Sequence, residues 1–173
     1  MDLNLEGSDA TESLGQALAR SLPRVVRQVA EASGAGAVLY LKGELGAGKT
    51  TCVRSLLRAL GVTGLVRSPT YTLVETYILA ELTCVHVDLY RLRSLTEVDE
   101  LGLRDLMGPG CLLLVEWPER GGVAVPPADV DLTLQYAGDG RQARLQPLTP
   151  LGTEWLHNLG HDTSLSFYVS NLT

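Results

Sequence analysis

Eight consecutive residues, Gly43, Glu44, Leu45, Gly46, Ala47, Gly48, Lys49 and Thr50, fit the pattern Gly-x-x-x-x-Gly-Lys-(Ser/Thr) without a mismatch. Such a stretch is built to hold phosphate. Its glycines let successive backbone N–H groups close around an anion, and a helix starting near Gly48 points its positive end at the same place. Lys49 then reaches the β- and γ-phosphates, and Thr50 offers a hydroxyl to Mg²⁺. The chemistry expected is binding of a nucleoside triphosphate.

A phosphate loop also needs a carboxylate at the end of a neighbouring strand, placed to hold Mg²⁺ or its water. Glu116 follows Leu112-Leu113-Leu114-Val115, a Walker B arrangement with Glu in place of the commoner Asp. Asp88 follows Thr83-Cys84-Val85-His86-Val87, where alternation puts Cys84, His86 and Asp88 on one face and Val85 and Val87 on the other. Glu116 is assigned to the metal side and Asp88 to the neighbourhood of the γ-phosphate. Either acid could instead cap the helix that follows it. His86 reads as a packed, hydrogen-bonded strand residue. Ser68-Pro69-Thr70-Tyr71-Thr72 is a hydroxyl-rich fixed turn in which Thr70 either senses the γ-phosphate or belongs to a proline turn capping a strand. Trp117 either packs near the nucleotide or fills core space. Arg141, after the turn Gly138-Asp139-Gly140, either reaches a phosphate or base or is an ordinary hairpin arginine.

These groups need a scaffold, and its elements are readable. Residues 37–41 form a short apolar run suited to a buried strand, and residues 51–60 place Val53, Leu56, Leu57 and Leu60 at helical intervals before Gly61 as C-cap. Ser8 and Asp9 are expected to cap an amphipathic helix over residues 10–21, interrupted by Pro23. A second helical stretch, residues 24–31, leads through the connector Ser33-Gly34-Ala35-Gly36 into the first strand. Residues 73–78 and 82–88 read as a hairpin, 95–107 as a helix with an acidic start, 112–115 as a strand buried on both faces, and 130–136 and 141–148 as two late strands. Crossover helices mixed with hairpins predict an α/β P-loop fold with a mixed, mostly parallel central sheet flanked by helices.

With 173 residues and 45% hydrophobic content, the chain has the length and composition of one globular domain. Its apolar stretches fall short of a membrane span and residues 1–6 lack signal-peptide character, so a cytosolic protein is expected. Cys52, Cys84 and Cys111 each sit in an apolar segment and read as small core residues, neither disulfides nor zinc ligands. A net charge of -6, from 14 basic and 20 acidic side chains, argues against a broad electrostatic footprint on nucleic acid. It leaves room for RNA bound within a complex whose partner supplies the positive surface. A small-molecule P-loop kinase is the alternative, but no Arg-rich lid is apparent; a GTP switch would carry an Asn-Lys-x-Asp element, and none occurs.

Four segments in order, residues 43–51, 68–74, 86–92 and 113–120, strongly resemble TsaE, the bacterial ATPase family required for making N6-threonylcarbamoyladenosine at position 37 of tRNA. The resemblance covers roughly residues 8–148, and Thr11 with Leu14-Gly15 also looks like that family's N-terminal nucleotide-side helix. It implies a cytoplasmic, weakly hydrolysing ATPase that uses ATP and Mg²⁺ and works on the TsaD and TsaB subunits. Contact with tRNA would be indirect, through that complex, with no role for DNA or membrane. The resemblance further implies that Thr50 and Glu116 ligate Mg²⁺, that Lys49 holds phosphates, and that Thr70 lies in a switch-like loop. It also makes Asp88 essential near the γ-phosphate and puts Trp117 close to the nucleotide, alongside residues 43–51, including Thr51. Residues 1–150 are read as the P-loop domain and 151–173 as a C-terminal helix and tail, the latter either mobile or an added docking strand. Residues 23–33 look longer than the family pattern.

Overall fold

Leu112-Leu113-Leu114-Val115 belongs to a strand, β5 (Cys111–Glu116), whose every residue is buried. It is flanked in parallel by β2 (Ala37–Lys42) and β4 (Thr83–Asp88), and β2 pairs in parallel with β6 (Val130–Ala137) on its other side. Two hairpins extend this parallel centre: β3 (Val74–Ile78) runs antiparallel to β4, and β7 (Gly140–Pro147) antiparallel to β6. A further strand, β1 (Asp2–Leu5), pairs antiparallel with β7. The order is β1-β7-β6-β2-β5-β4-β3. The computed structural model describes residues 1–27 and 36–168.

Alternation along the central strands divides the apolar side chains between two cores. Leu39, Leu41, Leu112 and Leu114 face one layer, built by α1 (Gly7–Ser21), α3 (Lys49–Ala59) and α5 (Pro150–Gly160), with Leu14, Leu18, Leu56 and Trp155 fully buried. Val38, Leu113 and Val115 face the other, covered by the crossover between β4 and β5 through Leu92, Val98 and Leu103. α1 and α3 pack closely at Gly15, where a Cβ would strike the carbonyl of Cys52. α3 ends in a Schellman motif: Gly61 N–H donates to Arg58 O and Val62 N–H to Leu57 O, both at 3.0 Å. All three cysteines are buried, and burial pushes the Cys52 thiol up to about 12.

Several predicted boundaries change. α1 begins at Gly7 with Glu6 at the cap position, so Ser8 and Asp9 lie inside the first turn and do not cap it. The helix expected over residues 95–107 stops early: α4 is Leu95–Asp99, and residues 100–106 continue as turns. Ser94 caps its start, Glu97 N–H donating to Ser94 Oγ, and the Glu97 carboxylate accepts from Arg93 N–H just before the cap, but Gly102 at φ +60° carries the chain away from the helical path. Of the stretch expected over 24–31, α2 (Arg24–Arg27) is helical; the rest, with most of the 33–36 connector, lies outside the described residues. β1 was not anticipated. Beyond Leu151 the chain enters the first core: Trp155 Nε1 donates to Leu18 O at 3.0 Å, and Arg20 pairs with Asp162 at 2.8 Å. Among the described residues, no helix is long and apolar enough to cross a membrane.

Candidate nucleotide site

The carboxyl ends of β2, β5 and β4 lie side by side, the edge at which open α/β sheets bind ligands. The register pairs Leu41 with Glu116 and Glu116 with Asp88, so the two predicted acids are direct neighbours on adjacent parallel strands. Strand alternation turns His86, Asp88, Leu114 and Glu116 toward the face that carries α3, whose first turn supplies Lys49 and Thr50. The loop between β2 and α3 turns on Gly43, Gly46 and Gly48, at φ +132°, +77° and +110°, values that side-chain-bearing residues rarely adopt.

Together these elements enclose a cavity of about 390 Å³ lined by Leu45, Gly46, Gly48, Lys49, Thr50, Thr51, Ser68, Thr70, Asp88, Tyr90, Arg91, Glu116 and Trp117. Glu116 is buried and accepts from Thr50 Oγ1, at 2.9 Å and 3.0 Å to its two oxygens. His86 Nε2 is 2.9 Å from Glu116 Oε1, so the imidazole N–H that meets the carboxylate is the Nε2 one, and Nδ1 is buried with no hydrogen-bond partner among the described residues. Asp88 accepts from Ser68 Oγ at 2.5 Å, Thr70 Oγ1 at 3.2 Å and Tyr90 N–H at 3.0 Å. The Ser68–Thr72 turn is thereby tied to the end of β4.

Lys49 Nζ donates to Gly43 O at 2.6 Å and Glu44 O at 2.8 Å and stands 3.9 Å above the Trp117 ring. Burial pushes its pKa down, while the carboxylates of Glu116, Asp88 and Glu119 pull the other way. Trp117 itself is in the left-handed region, φ 60° and ψ 47°, with its N–H on Leu41 O and its ring 5.0 Å from that of Tyr90. The donor set of Thr50 and Glu116 is hydroxyl and carboxylate oxygen, suited to a hard cation such as Mg²⁺. No group of three or more His, Cys, Asp or Glu that could hold a metal occurs among the described residues. Hydroxyl and carboxylate oxygens of this kind fit Mg²⁺, which is held by few protein oxygens and completed by phosphates and water.

The structure brings Leu45, Gly46, Gly48, Lys49, Thr50, Thr51, Thr70, Asp88, Glu116 and Trp117 into one cavity and leaves Thr11, Arg141, Gly43, Glu44 and Ala47 outside its lining. Thr11 is buried against the loop, its methyl 3.2 Å from where a Gly48 Cβ would be, and supports the loop from behind. Arg141 stacks on Tyr136 at 4.6 Å, and Tyr136 donates its hydroxyl to Leu45 O at 2.9 Å, so this pair braces the loop from β6 and β7. Gly43, Glu44 and Ala47 shape the loop without lining the cavity. Ser68, Tyr90 and Arg91 were not singled out from sequence. Ser68 and Tyr90 stand two residues from Thr70 and Asp88 respectively, a spacing that a turn converts into contact with the acid.

The sequence model of the family described as TsaE, threonylcarbamoyl adenosine biosynthesis protein, matches residues 5–144. The tRNA threonylcarbamoyladenosine biosynthesis protein TsaE of Haemophilus influenzae is 44% identical over 115 residues, 66% of this chain and 73% of that protein. Its counterpart in Synechocystis is 40% identical over 124 residues, 69% of this chain and 71% of that protein. Among solved structures, Bacillus subtilis YdiB superposes with a TM-score of 0.68 at 25% identity, covering 92% of this chain and 93% of YdiB.

Proposed function

Because the chain belongs to the TsaE family and so to the biosynthesis of threonylcarbamoyladenosine in tRNA, we propose that it binds ATP with Mg²⁺ at the phosphate loop. It hydrolyses ATP slowly and uses the nucleotide cycle to act on the TsaD–TsaB transferase, in the cytoplasm. The observation that carries the reading is the contact of Thr50 with Glu116 at 2.9 Å beside the buried Lys49. A hydroxyl, a carboxylate and an ammonium meet there at the mouth of a glycine loop.

Each residue has a part. Backbone N–H groups of the loop enclose the phosphates. Lys49 has three N–H donors, two already on loop carbonyls, which leaves one for an arriving phosphate oxygen. Thr50 and Glu116 would hold Mg²⁺, which neutralises charge on the phosphates. His86 fixes the Glu116 carboxylate from the buried side. Asp88 holds the Ser68 and Thr70 hydroxyls; transfer of those hydroxyls from Asp88 to phosphate or its water gives the turn two states that a bound protein can distinguish. Arg91 borders the cavity with its guanidinium 4.2 Å from the Tyr71 ring, directed to an aromatic face, which is consistent with low turnover by the chain alone.

The test is ATP turnover by the purified chain, then with TsaD and TsaB added. Stimulation by the two proteins is expected, and Lys49→Ala or Glu116→Ala should lower the rate about 100-fold or more. Turnover indifferent to TsaD and TsaB, or rising only with a small-molecule acceptor, would replace this reading with a kinase. Full turnover in either variant would remove the site assignment.

A further inference from the structure

Between α1 and α3 lies a second cleft, of about 340 Å³, sharing Thr51 with the nucleotide cavity. Arg20, Arg54 and Arg58 converge on it, in a chain whose net charge is -6. Their donors are unequally occupied. Arg20 uses Nε and Nη2 on Asp162 and Ser164. Arg54 uses Nε on Val66 O at 3.2 Å, which leaves its terminal amino groups. Arg58 is exposed, and its side chain has no hydrogen bond or ion pair among the described residues. Glu12 is the one acid in the lining, and among the described residues it pairs with none of the three arginines.

Arg54 and Arg58 are four positions apart on α3, about 6 Å along the axis, and so share a helix face. A guanidinium fork matches phosphate oxygens in two-pronged geometry, and two forks one turn apart match successive phosphates of a strand better than a single anion. The family's role in tRNA modification supplies a polyanion of that kind. We infer that the α1–α3 cleft binds the phosphodiester backbone of RNA directly, through Arg54 and Arg58. The inference rests on the family's role and is independent of the ATP reading. Backbone contact of this sort carries little sequence preference. Two phosphate contacts give log K against log salt a slope of roughly -1.4 to -1.8, and repulsion from the acidic remainder of the chain keeps the affinity low.

The experiment is anisotropy of an end-labelled unmodified tRNA transcript titrated with the full chain between about 50 and about 200 mM salt. Saturable, salt-sensitive binding is expected. Arg54→Ala/Arg58→Ala should weaken it roughly tenfold or more and remove most of the slope of roughly -1.4 to -1.8, with circular dichroism melting as the check on folding. Glu12→Gln, which deletes the opposing charge, should tighten binding about twofold. Absence of saturable binding at low salt, or equal binding by the double variant, overturns the inference. Inorganic phosphate or polyglutamate displacing the tRNA at matched ionic strength more effectively than unlabelled RNA would also overturn it, in favour of a free-phosphate site or an acidic protein segment.

Discussion

Trp117 holds a left-handed backbone immediately before Pro118, a conformation that costs a bulky residue about 1–3 kcal/mol. The surrounding contacts offset that cost: the N–H of Trp117 continues the pairing of β5 onto Leu41, and its ring lies on the Lys49 ammonium. The geometry makes Trp117 a reporter of whatever displaces that ammonium. The other tryptophan, Trp155, is fully buried in the first core and hydrogen-bonded to α1. ATP with Mg²⁺ should therefore change the intrinsic fluorescence, and Trp117→Phe should abolish the change while leaving the Trp155 emission. A nucleotide-dependent signal that survives Trp117→Phe would contradict this arrangement.

At the scale of elements, α1 and α3 depend on Gly15. Its replacement by Val puts side-chain atoms against the Cys52 carbonyl and Ser55, and overpacking of that kind costs about 1–3 kcal/mol. A lower urea midpoint with unchanged slope is the expected outcome. The 3-10 turn Thr163–Leu165 is joined to α1 by the Arg20–Asp162 pair. Arg20, through its hydrogen bond to the Asp162 carboxylate, holds that acid below its ordinary value of 3.8, against the opposing effect of burial. The sign follows: the ionised form is favoured in the folded chain, so the contribution is complete above pH 3.8 and is lost as pH falls through the lower folded value. Protection factors of the amides at residues 163–166, taken relative to the intrinsic exchange rate at each pH, should fall on acidification in that window, and Asp162→Asn should remove the dependence. Unchanged protection in the parent chain would show that the turn is held otherwise. These element contacts also explain what the sequence withheld. Arg20 and Asp162 are 142 positions apart, and nothing local marks either as the other's partner. β1 has only Leu3 and Leu5 as inward residues, too short an alternation to separate from a coil. The helix expected over 95–107 overran because Leu101, Leu103 and Leu106 sustain apolar density beyond its actual end at Asp99 and across Gly102. By contrast, the strands carrying Asp88 and Glu116 are legible, β5 from an unbroken apolar run that burial on both faces demands and β4 from its alternation, each ended by its acid.

At the scale of the molecule, the C-terminal helix is part of the same packing unit as the phosphate loop. Trp155 fills the layer beneath α1, so Trp155→Ala should cost about 3–5 kcal/mol and lower the thermal midpoint of the whole chain in one transition. Two separate transitions, one insensitive to the substitution, would indicate an autonomous tail. The central sheet has a consequence of another kind. Glu116 meets Thr50, and Asp88 stands beside it, because β4 and β5 are aligned residue for residue with both acids on the α3 face. Side chains alternate with a period of two, so an insertion of one residue inside β5 sends Glu116 to the opposite face, toward the second core, while one in the turns at residues 100–106 leaves the alignment intact. The fold's tolerance of added residues is thus asymmetric: one in an exposed turn of the crossover is absorbed where it falls, whereas one inside β5 parts the acid from the loop it serves.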